Sequence, residues 1–100
     1  MDFQISWANS AIADLRDLVR YIAQDNNVAA SRFGNAIVSK TETLRTFPLI
    51  GRMVPEYQNA SLRELILSPY RIVYEVDEKT SRIFILRIWH SARGDLSDDI

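Results

Sequence analysis

The sequence predicts an α+β fold: an N-terminal strand, an antiparallel helical hairpin, then a three-stranded antiparallel meander that completes a small sheet. Three observations predict it. Phe3, Ile5 and Trp7 alternate with Asp2, Gln4 and Ser6, the period-two pattern of a half-buried strand. Two stretches of helical periodicity follow, broken by Asp25-Asn26-Asn27. The second half holds three runs rich in β-branched and aromatic residues, 62–67, 70–77 and 82–90, joined by connections too short for a parallel crossover.

After the first strand, Asn9 or Ser10 is placed to cap a helix over residues 10–25. Ala11, Leu15, Leu18, Val19 and Ile22 form its apolar stripe, with Asp14, Arg16, Asp17 and Arg20 mostly off it. Asn and Asp favour turns through side-chain bonds to their own backbone, so 25–27 reads as the break. A second helix spans 28–47, its inner face made by Ala30, Phe33, Ile37 and Leu44 with Thr41 between, and Pro48 and Gly51 stop it. Residues 51–61 read as a loop. Ser68-Pro69 turns the chain between the first two strands of the meander, and residues 77–81 between the last two.

Side chains alternate across a strand. Tyr70, Ile72, Tyr74 and Val76 therefore share one face of the middle strand, and Arg71, Val73 and Glu75 the other. On the last strand Phe84, Leu86, Ile88 and His90 share one face, and Ile83, Ile85, Arg87 and Trp89 the other. The simplest packing lays the helices on the first set of each pair and leaves Arg71 and Arg87 on an open face. A slip of one residue would reverse the assignment.

One hundred residues fit a single domain, 1–100, with an exposed, weakly ordered tail over 94–100. The absence of cysteine excludes disulfides and thiolate metal sites, and one histidine cannot build a His-rich metal centre. No metal and no cofactor is expected. No apolar run is long enough to span a bilayer, and Met1-Asp2-Phe3-Gln4 lacks the basic and apolar regions of a secretory signal. A cytoplasmic protein without a membrane partner is the expectation. A net charge of −1 and a pI near 5.7 argue against a broad phosphate-binding surface.

Each run of the meander carries arginine inside apolar sequence. A charge within a sheet must pair or reach an open face, because an unpaired buried charge is too costly. Arg63, Arg71 and Arg87, with Arg93 beyond the last strand, thus make a candidate polar surface for a target or a phosphate. Pairing of Arg71 with an acid such as Glu75 is the structural alternative.

The order of these elements, with Trp7, Ala11, Asp14-Leu15 and Tyr21-Ile22, then Phe47-Pro48, Gly51-Arg52, Pro55-Glu56, Arg63-Glu64-Leu65, Tyr70-Arg71-Ile72-Val73-Tyr74 and the closing residues 85–93, resembles the toxins of type II toxin–antitoxin modules of the RelE/ParE superfamily. The closing segment is similar to the ParE-like, plasmid-stabilisation branch. The resemblance implies a growth inhibitor neutralised by a cognate antitoxin that wraps around it. ParE-like members inhibit DNA gyrase; RelE-like members cleave mRNA in the ribosome.

Carried onto this chain, a ribonuclease would use Glu56 as base, Arg71 as phosphate clamp and His90 as acid, with attack of a 2′-hydroxyl on the neighbouring phosphate. Two departures count against that set. No tyrosine follows His90, where ribonuclease relatives keep one that orients the base, and the strongly basic character of ribosome-entering toxins is missing. The expectation is therefore a ParE-like toxin acting on DNA gyrase. An mRNA endoribonuclease and a non-toxic relic that binds only its antitoxin are the rivals.

Overall fold

The structure, a computed structural model, describes residues 2–96 and 100. The chain runs β1 (Gln4–Trp7), α1 (Asn9–Ala23), α2 (Asn27–Glu42), a 3₁₀ turn (Thr43–Arg45), β2 (Arg52–Met53), β3 (Leu62–Leu67), β4 (Tyr70–Asp77), β5 (Arg82–His90) and a second 3₁₀ turn (Ser91–Arg93). The strands form one sheet in the order β1-β5-β4-β3-β2. The expected α+β class holds, and the three strands of the meander lie where the sequence puts them. Two features were not legible: β1 pairs with β5 in parallel, and a two-residue strand, β2, pairs with β3 inside the expected loop.

The helix ends differ in detail. The Asn26 side chain accepts the Ala29 amide at 2.9 Å and caps α2, as turn chemistry suggests. Neither Asn9 nor Ser10 caps α1; Ala8 takes the cap position without a side-chain bond. Ser10 instead donates its hydroxyl to the Leu86 carbonyl at 2.9 Å. The second helix ends at Glu42, short of residue 47, and tightens into the 3₁₀ turn.

The helical hairpin packs on one face of the sheet. Leu18, Ile37 and Leu44 meet Ile72, Tyr74, Ile83, Ile85 and Ile88 in the main core, with Leu15, Ile22 and Phe33 packed against it. Gly34 lets the helices approach closely, since a Cβ there would stand 3.1 Å from a Val19 methyl. Gly51 is tighter still: a Cβ would meet the Glu64 carbonyl at 2.5 Å and the Tyr74 hydroxyl at 2.6 Å. That hydroxyl accepts the Gly51 amide at 3.0 Å.

The expected face assignment of β5 is corrected over its first half. Val73 pairs with Arg87 but Tyr74 pairs with Ile85, so Leu86 is an extra residue in the ladder. This bulge reverses the alternation. Ile83 and Ile85 face the helices, as do Ile88 and His90 after the bulge, while Leu86 packs on the second face. An unbroken apolar run over 83–86 carries no period from which the phase could be read.

The second face is not open. Val54, Leu62, Val73, Trp89 and Leu96 form a smaller core there, with Tyr57 and Leu86 against it. The expected exposed tail is corrected for its first part, because Leu96 is completely buried. The Trp89 indole donates to the Gly94 carbonyl at 3.0 Å and the Tyr57 hydroxyl to the Leu96 carbonyl at 3.0 Å. Of the rest of that tail, residues 97–99 lie outside the described residues.

Leu18 and Ile37 sit at the centre of the helix–sheet layer. Replacing either by Ala is expected to cost about 2–5 kcal/mol, measured by denaturant unfolding. Loss of less than about 1 kcal/mol at both positions would contradict this packing.

Candidate functional site

Arg71 organises the second face. It lies on β4 opposite Trp89 and Ile66. Its Nη1 and Nη2 donate to the two Glu56 oxygens at 2.9 and 2.7 Å, a bidentate fork. Its Nε donates to Glu64 Oε1 at 2.6 Å, and Glu64 Oε2 accepts from Arg52 Nε at 2.6 Å. Glu56 also accepts the Leu96 amide at 3.1 Å. The Glu64 side chain is completely buried, and those of Arg71 and Glu56 are only 11% and 15% exposed. Two carboxylates thus enclose Arg71, and the loop at 56 and the strap at 96 close over it.

The electrostatics follow. The Arg71 hydrogen bonds hold the Glu56 carboxyl down at about 2, against desolvation that pushes the other way. Arg71, bonded to Glu56 first and Glu64 second, is held more firmly protonated than a free guanidinium. Burial raises Tyr70 and Tyr74 on the opposite face above the ordinary phenol range. Every buried side-chain polar atom among the described residues is hydrogen-bonded.

Of the candidate catalytic set, the structure brings Glu56 and Arg71 together and leaves His90 apart. His90 pairs across the sheet with Tyr70 and stacks edge-on against its ring at 5.0 Å, on the helix face. Its Nδ1 accepts the Ala92 amide at 3.0 Å, as a cap of the last turn. There it joins Asp14, Asp17, Tyr21, Tyr70 and Arg93 in the lining of a shallow cleft of about 270 Å³. Alternation along β4 and β5 puts the His90 ring and the Arg71 guanidinium on opposite faces of the sheet.

The four arginines do not form one patch either. Arg63 faces the helix side opposite Tyr74 and donates to the Ala60 and Gly51 carbonyls at 2.9 and 3.0 Å, pinning the loop before β2. Arg87 binds both Asp14 oxygens at 2.8 and 3.0 Å. Its guanidinium and that of Arg93 lie over the Trp89 ring at 5.1 and 4.3 Å. Arg87 and Arg93 share the Trp89 ring, and Arg71 lies across the sheet from Trp89. Among the described residues no group of three or more His, Cys, Asp or Glu side chains is placed to hold a metal ion.

Sequence reasoning missed Glu64, Asp14 and Leu96. The acid expected for Arg71 is Glu75, four residues along the same strand; that side chain is exposed. Glu64 was findable, because it alternates onto the Arg71 face of the neighbouring strand, diagonal to Arg71. Asp14, far away in sequence and one helix over, left no local signal.

The family model for the ParE toxin of the type II toxin–antitoxin system parDE matches residues 5–94. Toxin RelE2 of Caulobacter vibrioides is 35% identical over 91 residues, covering 90% of this chain and 97% of that protein. The fold matches a chain of the chromosomal ParDE TA system from P. aeruginosa, with a TM-score of 0.71 at 24% identity over 88% of this chain and 95% of the other. It also matches a chain of the RelBE2 toxin–antitoxin complex from Mycobacterium tuberculosis, with a TM-score of 0.69 at 22% identity over 90% and 99%. The chain belongs to the ParE toxin family of the RelE/ParE superfamily; it is a toxin of the type II toxin–antitoxin class.

The depressed Glu56 pKa has a definite sign. Its contribution to stability is fully present above the ordinary value of 4.5 and is lost as pH falls through about 2. Glu56→Gln should therefore flatten the acid limb of the stability–pH profile over that window; an unchanged limb would sink the assignment. Arg71→Ala strands Glu56 and the buried end of Glu64, and should destabilise by about 3–5 kcal/mol in urea unfolding.

Proposed function

We propose that this toxin acts as a ParE-like inhibitor of DNA gyrase and is neutralised by a cognate antitoxin. The observation that carries the reading is the enclosure of Arg71. A phosphate clamp needs a guanidinium whose donors point at an empty site. Here three of the five N–H groups, one each on Nε, Nη1 and Nη2, are donated to Glu56 and Glu64, and the two carboxylates occupy the sides of the guanidinium they bond. Glu56 and Glu64 set against Arg71 and Arg52 balance in charge, so the spot offers no net positive charge to the anion a ribonuclease must hold. Glu56, spent on the same fork and held ionised by it, is a poor proton acceptor for a 2′-hydroxyl.

The placement of His90 on the helix face adds support, as does the net charge of −1. A protein target makes no comparable demand for counterion release. The cytoplasm is the compartment where such a target is met. No helix among the described residues is long and apolar enough to cross a membrane. An antitoxin partner is supported by the family and by the fold neighbours, which include the intact E. coli RelBE toxin–antitoxin complex.

A RelE-like endoribonuclease is the second reading, favoured by the RelE2 name of the 35% identical relative. Induced expression separates the two. The gyrase reading expects blocked replication and DNA-damage signalling without mapped mRNA cuts, and inhibition of supercoiling by purified gyrase in vitro. His90→Ala should retain toxicity. Prompt translation arrest with site-specific mRNA cleavage, lost in His90→Ala while the fold persists, would replace this proposal with the ribonuclease.

A further inference from the structure

β1 is the outer strand of the sheet, beside β5. Backbone groups of successive residues point to opposite sides of a strand. The Gln4 amide bonds to the Ser81 carbonyl and the Ala8 amide to the Ile85 carbonyl, so Gln4, Ser6 and Ala8 turn their backbone toward β5. Ile5 and Trp7 therefore turn theirs outward, where no strand lies. The free edge begins just past the Arg45 carbonyl, which takes the Phe3 amide, and the Arg45 charge is met by Glu42. Apart from its shortness, Gln4–Trp7 carries none of the devices that keep an edge from pairing: no proline, no charge and no bulge in its register with β5.

Three features match this edge to itself. The first is register. An antiparallel pairing of two copies centred on Ser6 sets Ile5 of each opposite Trp7 of the other. Both residues have outward backbone, so each pair exchanges both of its N–H···O=C bonds. The second is apolar. Ile5 and Trp7 pack against the main core yet stay half-buried. Opposed across the axis they form β-branched–aromatic pairs on the helix side, which cover what each leaves in water. The third is charge. α1 begins without a side-chain cap bond at Ala8 and without an acid in its first turn. Asp2, exposed just before β1, stands in this register opposite Ser10 of the second copy. There its carboxylate meets the free amides and the positive end of the helix.

We infer that two copies of this chain associate edge to edge through β1, antiparallel about a two-fold axis at Ser6, joining two five-stranded sheets into one. The contact is small, so the dimer forms in a concentration-dependent way. A foreign strand would find the same outward backbone groups, but not the match between Asp2 and the bare end of α1, which both belong to this chain. The inference does not depend on which cellular target the toxin has.

The test is sedimentation equilibrium of the purified full chain up to roughly 500 µM, with amide hydrogen exchange at low and high concentration. A monomer–dimer equilibrium is expected within that range. The Ile5 and Trp7 amides should gain protection as concentration rises, while the Ser6 amide, already directed at β5, should not. Ser6 is exposed and points away from the helices, and its two copies lie directly opposite each other across the axis. Ser6→Lys should therefore weaken the dimer by roughly tenfold or more, with partial recovery in high salt. Its far-UV spectrum and unfolding midpoint should be retained. Ser6→Val should strengthen the dimer, and Asp2→Ala should weaken it by roughly threefold or more. Gln24→Lys, the same change of charge at an exposed position after α1, should leave it unchanged.

A chain that stays monomeric throughout the range overturns the inference. So does a dimer that Ser6→Lys leaves intact, or one that forms with no added protection at Ile5 and Trp7. Protection of those amides by the antitoxin, without self-association of the toxin, would assign the edge to the antitoxin and likewise overturn it.

Discussion

The buried carboxylate of Glu64 sets the terms for the second face of this molecule. A carboxylate removed from water must be met by cations in hydrogen-bonding geometry, and Arg52 and Arg71 meet it from either side. Arg71 then gives one N–H from each of its two terminal nitrogens to Glu56 as a fork. Glu56 in turn takes the Leu96 amide. One buried acid on β3 thereby ties together β2, β4, the loop at 56 and the strap at 96. The small apolar core under that strap depends on the arrangement, because Val54 and Leu96 are the flanks of the same ionic chain.

The other end of the sheet meets a similar problem of unpaired backbone. β1 ends at Trp7, opposite Ile85, while β5 runs on to His90. The donors and acceptors of β5 beyond that point are met from α1. Ser10 donates to the Leu86 carbonyl, and Asp14 accepts the Ile88 amide as well as the Arg87 guanidinium. The bulge at Leu86 sits at this handover from strand to helix. It lets Ile83, Ile85 and Ile88 all face the helices although they do not share a parity. The side chains that looked like a free arginine and a free acid are the means by which the helix closes a sheet edge.

These two economies bear on function. Three of the four arginines that suggest a phosphate surface are bound to carboxylates or carbonyls of the fold: Arg63, Arg71 and Arg87. Charge that might serve a polyanion is spent inside the protein. Apolar side chains are also exposed around Phe47 and Ile50, in the loop between α2 and β2.

The sequence by itself determined the order of elements, the bounds of β3, β4 and β5, and the helix face carrying Ala30, Ile37, Thr41 and Leu44. These are local matters: periodicity, turn residues and β-branched runs act over a few residues and leave their mark there. It also pointed to Arg71 and Glu56 as residues of consequence. Only tertiary structure decided that the two are partners of each other, that β1 joins β5 in parallel, and that Leu86 breaks the alternation. It alone buried Leu96. Each of these depends on which distant groups meet: 15 positions separate Arg71 from Glu56, 40 separate Leu96 from Glu56, and 73 separate Arg87 from Asp14. Local propensity is blind to such encounters. They are settled when the chain must satisfy every buried charge and every buried backbone group at once.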